Sequence, residues 1–165
     1  MGWLRFLDKT NWTITSLTAA VIIFSRSAGV VYFASGALAT ALSVKYGLKR
    51  IIRQPRPDHG RKKTYGMPST HSASVSFYAV YISLAAIFLP LHPSLPATAR
   101  WFPVIATPWA VVVIASRIWL GHHTIAQVVA GAGWGSFCAL VAMRLWRGWL
   151  DEYGRVVETW VNSWL

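Results

Sequence analysis

The stretch Ile125–Leu145, IAQVVAGAGWGSFCALVAMRL, carries a single charged side chain, Arg144, at its far end. As a helix it rises about 31 Å, which matches the ~30 Å hydrocarbon core of a bilayer. Outward from it the pattern repeats. Trp101–Leu120, Ser72–Leu91 and Ala28–Leu48 are apolar blocks near the ~20 residues that a spanning helix needs. Thr13–Phe24 is shorter and closed by Arg26, so it reads as a short span or an interfacial helix. The chain is 55% hydrophobic, with 10 Trp and only 5 acidic side chains. That leaves too little polar sequence to coat a buried core of four such blocks. The expected fold is all-α: a polytopic membrane helix bundle of four long transmembrane helices, plus a short N-terminal helix and an interfacial C-terminal helix. One domain over 1–165 is expected, with a core at 28–147 and an amphipathic tail at 148–165.

The N-terminal run has no small-x-small cleavage pattern and is expected to be retained. Asn11-Trp12-Thr13 is a glycosylation sequon set against that run. Cys138 stands alone, so the chain has no internal disulfide. In the tail, Trp149, Tyr153, Val156, Val157, Trp160 and Trp164 fall at helical spacing, with Asp151, Glu152, Arg155 and Glu158 opposite. Such a helix lies in a membrane surface or packs on the bundle. On the last block, Gly131, Ala132, Gly133, Gly135 and Ser136 form a small-residue face that suits close helix packing, inside a monomer or between two copies.

The net charge of +11 is unevenly placed. Lys45, Lys49, Arg50, Arg53, Arg56, Arg61, Lys62 and Lys63 make up half of the 16 basic residues and lie in or just before the link between the first two long blocks. A basic run there meets anionic lipid or lies in a cytoplasmic loop. No nucleic-acid recognition motif accompanies it, and no nucleic-acid partner is expected.

Three polar islands interrupt the apolar sequence. In KRIIRQPRP, Lys49–Pro57, two prolines flank Arg56 and keep its backbone out of a helix. In YGMPSTHSAS, Tyr65–Ser74, Ser69 suits the N-cap of the second long helix. The free N–H groups of that first turn suit a phosphate, and His71 falls within the turn. The third island is SRIWLGHHTIAQ, Ser116–Gln127. Alternating passage of four spans brings all three islands to one membrane face. Cations, a helix N-terminus and two histidines converging there describe a phosphate site with its own nucleophile and acid. No Cys/His cluster of metal-binding spacing occurs, and neither a metal nor a cofactor is expected.

These islands resemble the three-part signature of the type 2 phosphatidic acid phosphatase superfamily. Lys49, six residues, then Arg56-Pro57 matches the first part. Pro68-Ser69-Thr70-His71 matches Pro-Ser-x-His, with Thr70 where glycine is common. Ser116-Arg117, five residues, His123, three residues, Gln127 matches the third part, except that glutamine replaces aspartate. The resemblance covers roughly Ala28–Leu145 and is nearest to the dolichyl diphosphate phosphatase branch, where glutamine at that position is usual.

On a helix His122 and His123 point about 100° apart, so only one can address a given phosphate. Gln127 stands one turn beyond His123, whereas His122 has Ala126 there. His123 is therefore read as the reactive one. The resemblance implies covalent phosphoryl transfer. Lys49, Arg56, Arg117, Ser69 and the backbone at Thr70 hold the phosphate, His123 attacks it, Gln127 orients His123, and His71 protonates the leaving oxygen. It further implies a polyprenyl diphosphate substrate taken from the membrane, and an active site facing the lumen of the endoplasmic reticulum, where lipid-carrier recycling serves protein N-glycosylation. The positive-inside count alone would place that face in the cytoplasm. Residue chemistry also admits phosphatidate and other lipid phosphates, or a non-catalytic lipid-binding protein on the same scaffold, as monomer or homodimer.

Overall fold

A computed structural model describes residues 10–57 and 64–164; Arg61, Lys62 and Lys63 of the basic run lie outside the described residues. The chain forms α1 (Thr10–Ser25), α2 (Ala28–Ile52), α3 (Thr70–Phe88), α4 (Phe102–Trp119), α5 (Ile125–Leu145) and α6 (Asp151–Asn162). Among the described residues there is no strand. Four helical runs are long and apolar enough to cross a membrane: Ala28–Ile52, Thr70–Phe88, Ala97–Trp119 and Ile125–Asn162. At 16 residues, α1 rises about 24 Å, short of the full core.

Each turn at the face holding the three islands has a local cause. Ser69 caps α3, its hydroxyl accepting the Ser72 N–H. Thr124 and Gln127 form a reciprocal capping box at the start of α5. Gly121, at φ +65°, ends α4 in the left-handed region that glycine adopts without strain. The chain then folds back so that the Arg117 carbonyl accepts both the His122 and His123 N–H groups, at 3.0 and 3.2 Å.

Helix α3 is central, packed against α2, α4 and α5. Its contact with α5 is backbone to backbone. A Cβ on Gly131 would collide with the Ser69 carbonyl, and one on Gly135 with the Ala73 carbonyl. Small residues thus allow the approach that holds the start of α3 against the first turns of α5. Gly133, expected on this face, instead meets nothing within 4 Å. The contact stripe is Gly131, Gly135, Ala139 and Ala142, because the α3-facing side repeats every three to four residues. At the opposite end Phe77 and Tyr81 pack with Ala37, Ala139 and Met143.

Two further points depart from expectation. The first span runs on past Leu48 to Ile52 through a π-helical segment, Ser43–Leu48. Its shift in register accompanies a buried Lys49, 8% exposed. The tail is not a separate helix. It continues from α5 through a second π-helical segment, Trp146–Leu150. Glu158 of α6 meets the His92 imidazole, and Gly154 lies against Trp146 and Ala28, so one side of α6 is tied to the bundle. Tyr153, Val156, Val157, Trp160 and Trp164 remain exposed on its other side, as a helix against a membrane surface requires.

Candidate active site

Lys49, Arg56, Ser69, Arg117, His123 and Gln127 come from α2, the link after it, the cap of α3, α4, the turn that follows α4, and α5, and all but Arg56 are nearly fully buried. The link between α2 and α3 supplies Arg56. Arg53 ends α2 in a left-handed conformation, φ 51°, and the chain runs non-helical past the two prolines that flank Arg56. The Arg56 guanidinium donates from Nε to the Thr64 carbonyl at 3.0 Å and from one terminal nitrogen to the His122 carbonyl at 2.8 Å. The same nitrogen lies 3.0 Å from His123 Nε2. Lys49 Nζ donates to the Tyr65 carbonyl at 3.0 Å. Arg117, 1% exposed, lays Nε and a terminal nitrogen on the Ser116 hydroxyl at 3.2 and 3.1 Å. That hydroxyl donates in turn to the Val113 carbonyl at 2.7 Å.

Gln127 joins these parts. Its amide nitrogen donates to the Pro55 carbonyl at 2.8 Å and to Gln54 Oε1 at 3.2 Å. Its amide oxygen accepts the Thr124 N–H at 3.3 Å and faces His123 Nδ1 at 3.1 Å. A carbonyl can only accept and a backbone N–H can only donate, so the amide has one consistent orientation. Nδ1 therefore carries the His123 proton, and Nε2 presents a lone pair, to which Arg56 donates. The Ser69 N–H donates to the Gln127 carbonyl at 2.9 Å, fixing the first turn of α3 to the same residue.

Electrostatics keep this ring neutral. Burial first, then the Arg56 cation, push the His123 pKa down to about 3, with Lys49 and His71 adding to the effect and the Gln127 bond opposing it. The ring is neutral at physiological pH, as a nucleophile must be. Burial also draws the Arg56 pKa below its ordinary value.

Lys49, Arg56, Ser69, Arg117, His123 and Gln127 are thus placed together. His71 and Thr70 stand in the first turn of α3, and the His71 charge bears on His123. His122 and His123 are not separated by helical geometry, contrary to what their spacing suggests. Both lie in the turn before α5, not on a helix, because α5 starts at Ile125. His123 meets Gln127 because the turn folds back onto Arg117. Other members of the basic run face elsewhere: Lys45 and Arg50 lie over the Tyr46 ring, and Arg53 Nε holds the Arg50 carbonyl. Among the described residues no cluster of three His, Cys, Asp or Glu is placed to hold a metal.

Two participants escaped the sequence. Gln54 is the second oxygen facing the Gln127 amide, and its carbonyl accepts the Gly66 N–H at 2.8 Å. Gly66 lies flat against that amide: a Cβ there would stand 2.5 Å from Gln127 Nε2. Their only sequence signals are an uncharged amide inside a basic run and a glycine just before the Met67-Pro68 pair.

A family model described as PAP2 superfamily matches residues 26–150. Dolichyldiphosphatase 1 of Rhinolophus ferrumequinum is 33% identical over 147 residues, 83% of this chain and 61% of that protein. Dolichyldiphosphatase 1 of Homo sapiens is 33% identical over 130 residues, 73% of this chain and 54% of that protein. Lipid phosphate phosphatase epsilon 1, chloroplastic, of Arabidopsis thaliana is 28% identical over 152 residues, 87% of this chain and 50% of that protein. The chain therefore spans roughly half to three-fifths of the length of these relatives. No solved structure matches it significantly.

Proposed function

The chain belongs to the PAP2 superfamily, and from that premise we propose that it is an integral-membrane lipid diphosphatase acting on a dolichyl or other polyprenyl diphosphate. The observation that carries the reading is the His123 ring. Its Nδ1–H is held by Gln127, and its Nε2 lone pair accepts from Arg56, a cation that a phosphate can draw away. A bound terminal phosphate would draw Arg56 from Nε2 onto its own oxygens. Lys49, Arg117, Ser69 and the Thr70 N–H complete the anion cradle.

In the first step Nε2 forms a bond to phosphorus and the bond to the bridging oxygen breaks. The lipid monophosphate leaves, with a proton from His71. In the second step His71 takes a proton from water, the water oxygen bonds to phosphorus, and the N–P bond breaks to release inorganic phosphate. Fixed cations around the transferring oxygens supply the electrostatic stabilisation. The names of the animal relatives support the diphosphate, as does glutamine at position 127. The plant relatives' names favour a second reading, hydrolysis of a lipid monophosphate by the same site. Resemblance to the dolichyl branch supports an endoplasmic reticulum membrane, a lumenal active site and a role in carrier recycling for N-glycosylation.

The test is phosphate release by the purified protein from a panel of lipid mono- and diphosphates. Rapid quenching should trap acid-labile phosphate on wild type and none on His123→Ala. Release from monophosphates alone would favour the second reading, and release from none would end both.

A further inference from the structure

A chamber of about 1820 Å³ lies among α1, α2, α3 and α4, with the α3–α4 link and α6 lining its end opposite the phosphate site. Ordinary small-molecule pockets measure ~300–1,000 Å³. Its wall follows α3 from Val75 to Leu89, about 21 Å of helical rise. It is almost wholly apolar, and α1, which lies outside the family match, forms one side.

The inner end is closed. Val75, Ala110 and Val113 are buried against one another, with Ile14 packed on them, one helical turn from His71. A lipid whose phosphate sits at His123 meets this layer before it meets the chamber. The outer end, lined by α6 and the α3–α4 link, is charged. At its rim Glu158 is taken up by His92 at 2.5 Å and Asp151 by Arg155 at 3.4 Å. Arg26 and Arg100 line the same rim, where with Arg155 they outnumber the two carboxylates three to two. Arg26 holds its place in a left-handed conformation, φ 49°, unusual for a side-chain-bearing residue.

We propose that this chamber is a second lipid site, separate from the phosphate site, that seats an anionic phospholipid of the opposite leaflet. Its chains lie along α3 and its phosphate rests between Arg26 and Arg100. An apolar well of lipid length rimmed by two cations complements such a molecule, whereas a zwitterionic head group would bring a cation to the same rim.

The purified protein is titrated with phosphatidylglycerol and with phosphatidylcholine of identical chains, and retention is read by native mass spectrometry. Wild type should hold phosphatidylglycerol about tenfold or more better, the scale of two interfacial cations. Arg26→Gln with Arg100→Gln should bring the two lipids to parity. Ala106→Trp and, independently, Ala86→Trp should fill the chamber and abolish retention of both, with helicity by circular dichroism confirming the fold. Parity in wild type, or a preference that survives the double substitution, would overturn the proposal. So would chamber-filling variants that keep phosphatidylglycerol but raise KM for long-tailed substrates, since the chamber would then belong to the substrate's tail.

Discussion

Gln127→Ala tests the central geometry most directly. The substitution removes four contacts at once: those to His123 Nδ1, Thr124 N, Pro55 O and Gln54 Oε1. Its two ends do different things. The oxygen end fixes the His123 tautomer, and losing a positioned bond worth ~1.4 to 4 kcal/mol at the transition state lowers turnover about 10- to 1000-fold. The nitrogen end anchors Pro55, the neighbour of Arg56, so a phosphate contact loosens and KM should rise by a few fold. Gln54→Ala touches only the nitrogen end and should raise KM while leaving kcat within about tenfold, the scale of one neutral hydrogen bond. Gln127→Glu keeps the shape. When protonated, its O–H can donate to Pro55; when ionised, its carboxylate faces two acceptor oxygens, which raises its own pKa. Its activity should therefore be highest at acid pH and fall as the side chain ionises. Gln127→Asp retains the bond to His123 and is too short to hold Pro55 as well, so it should be active with a raised KM and a higher His123 pKa. The assay is kcat and KM against pH for the four variants. Wild-type kcat in Gln127→Ala would refute the tautomer argument, and an unchanged KM there would refute the anchor.

Gly66→Ala should reproduce much of the Gln127→Ala defect in kcat without touching phosphate, because its Cβ must displace the Gln127 amide; wild-type kinetics would mean that the loop shifts freely. Gly131→Leu should lower the melting temperature in detergent, whereas Gly133→Ala, which meets nothing, should be neutral or raise it; if Gly131→Leu altered only oligomeric state and left activity intact, the internal-packing reading would be wrong. His123 carries a proton more readily unfolded, near pH 6.5, than folded, near 3. The unfolded state therefore binds more protons between those values, and this contribution is present above 6.5 and lost as pH falls toward 3. Melting temperature should drop over that window in wild type and drop less in His123→Ala; identical slopes would show that the ring is not desolvated. Turnover should survive EDTA, and loss on chelation restored by a divalent ion would refute a metal-free mechanism.

The spans were legible because a bilayer fixes both length and composition, and both can be read along Ile125–Leu145. The three islands were legible because an apolar chain has no other use for Arg117 and His123 at the end of a span. What stayed hidden depends on register across elements. Gly131 and Gly133 are alike as letters; only the position of α3 tells which one meets a backbone. Gln54 looks like filler in KRIIRQPRP until its oxygen is found opposite Gln127. The tail's periodicity showed two faces and could not say that Glu158 of the polar one meets His92.

Of the two adjacent histidines, His123 meets Gln127, but not for the reason that its spacing suggests. The i,i+4 spacing paired His123 with Gln127, but no helix joins them. Gly121 reverses the chain, and one carbonyl, that of Arg117, takes both histidine N–H groups. The ring direction of His123 is thus set from α4, and its proton from α5 through Gln127. The cation on its lone pair comes from the link between α2 and α3. Three elements must dock before Nε2 acquires its direction, its tautomer and its low pKa together. The glycines that bring α3 and α5 into backbone contact are therefore part of how the His123 site, the proposed nucleophile, is built, since without that approach Ser69 could not bond to the Gln127 carbonyl.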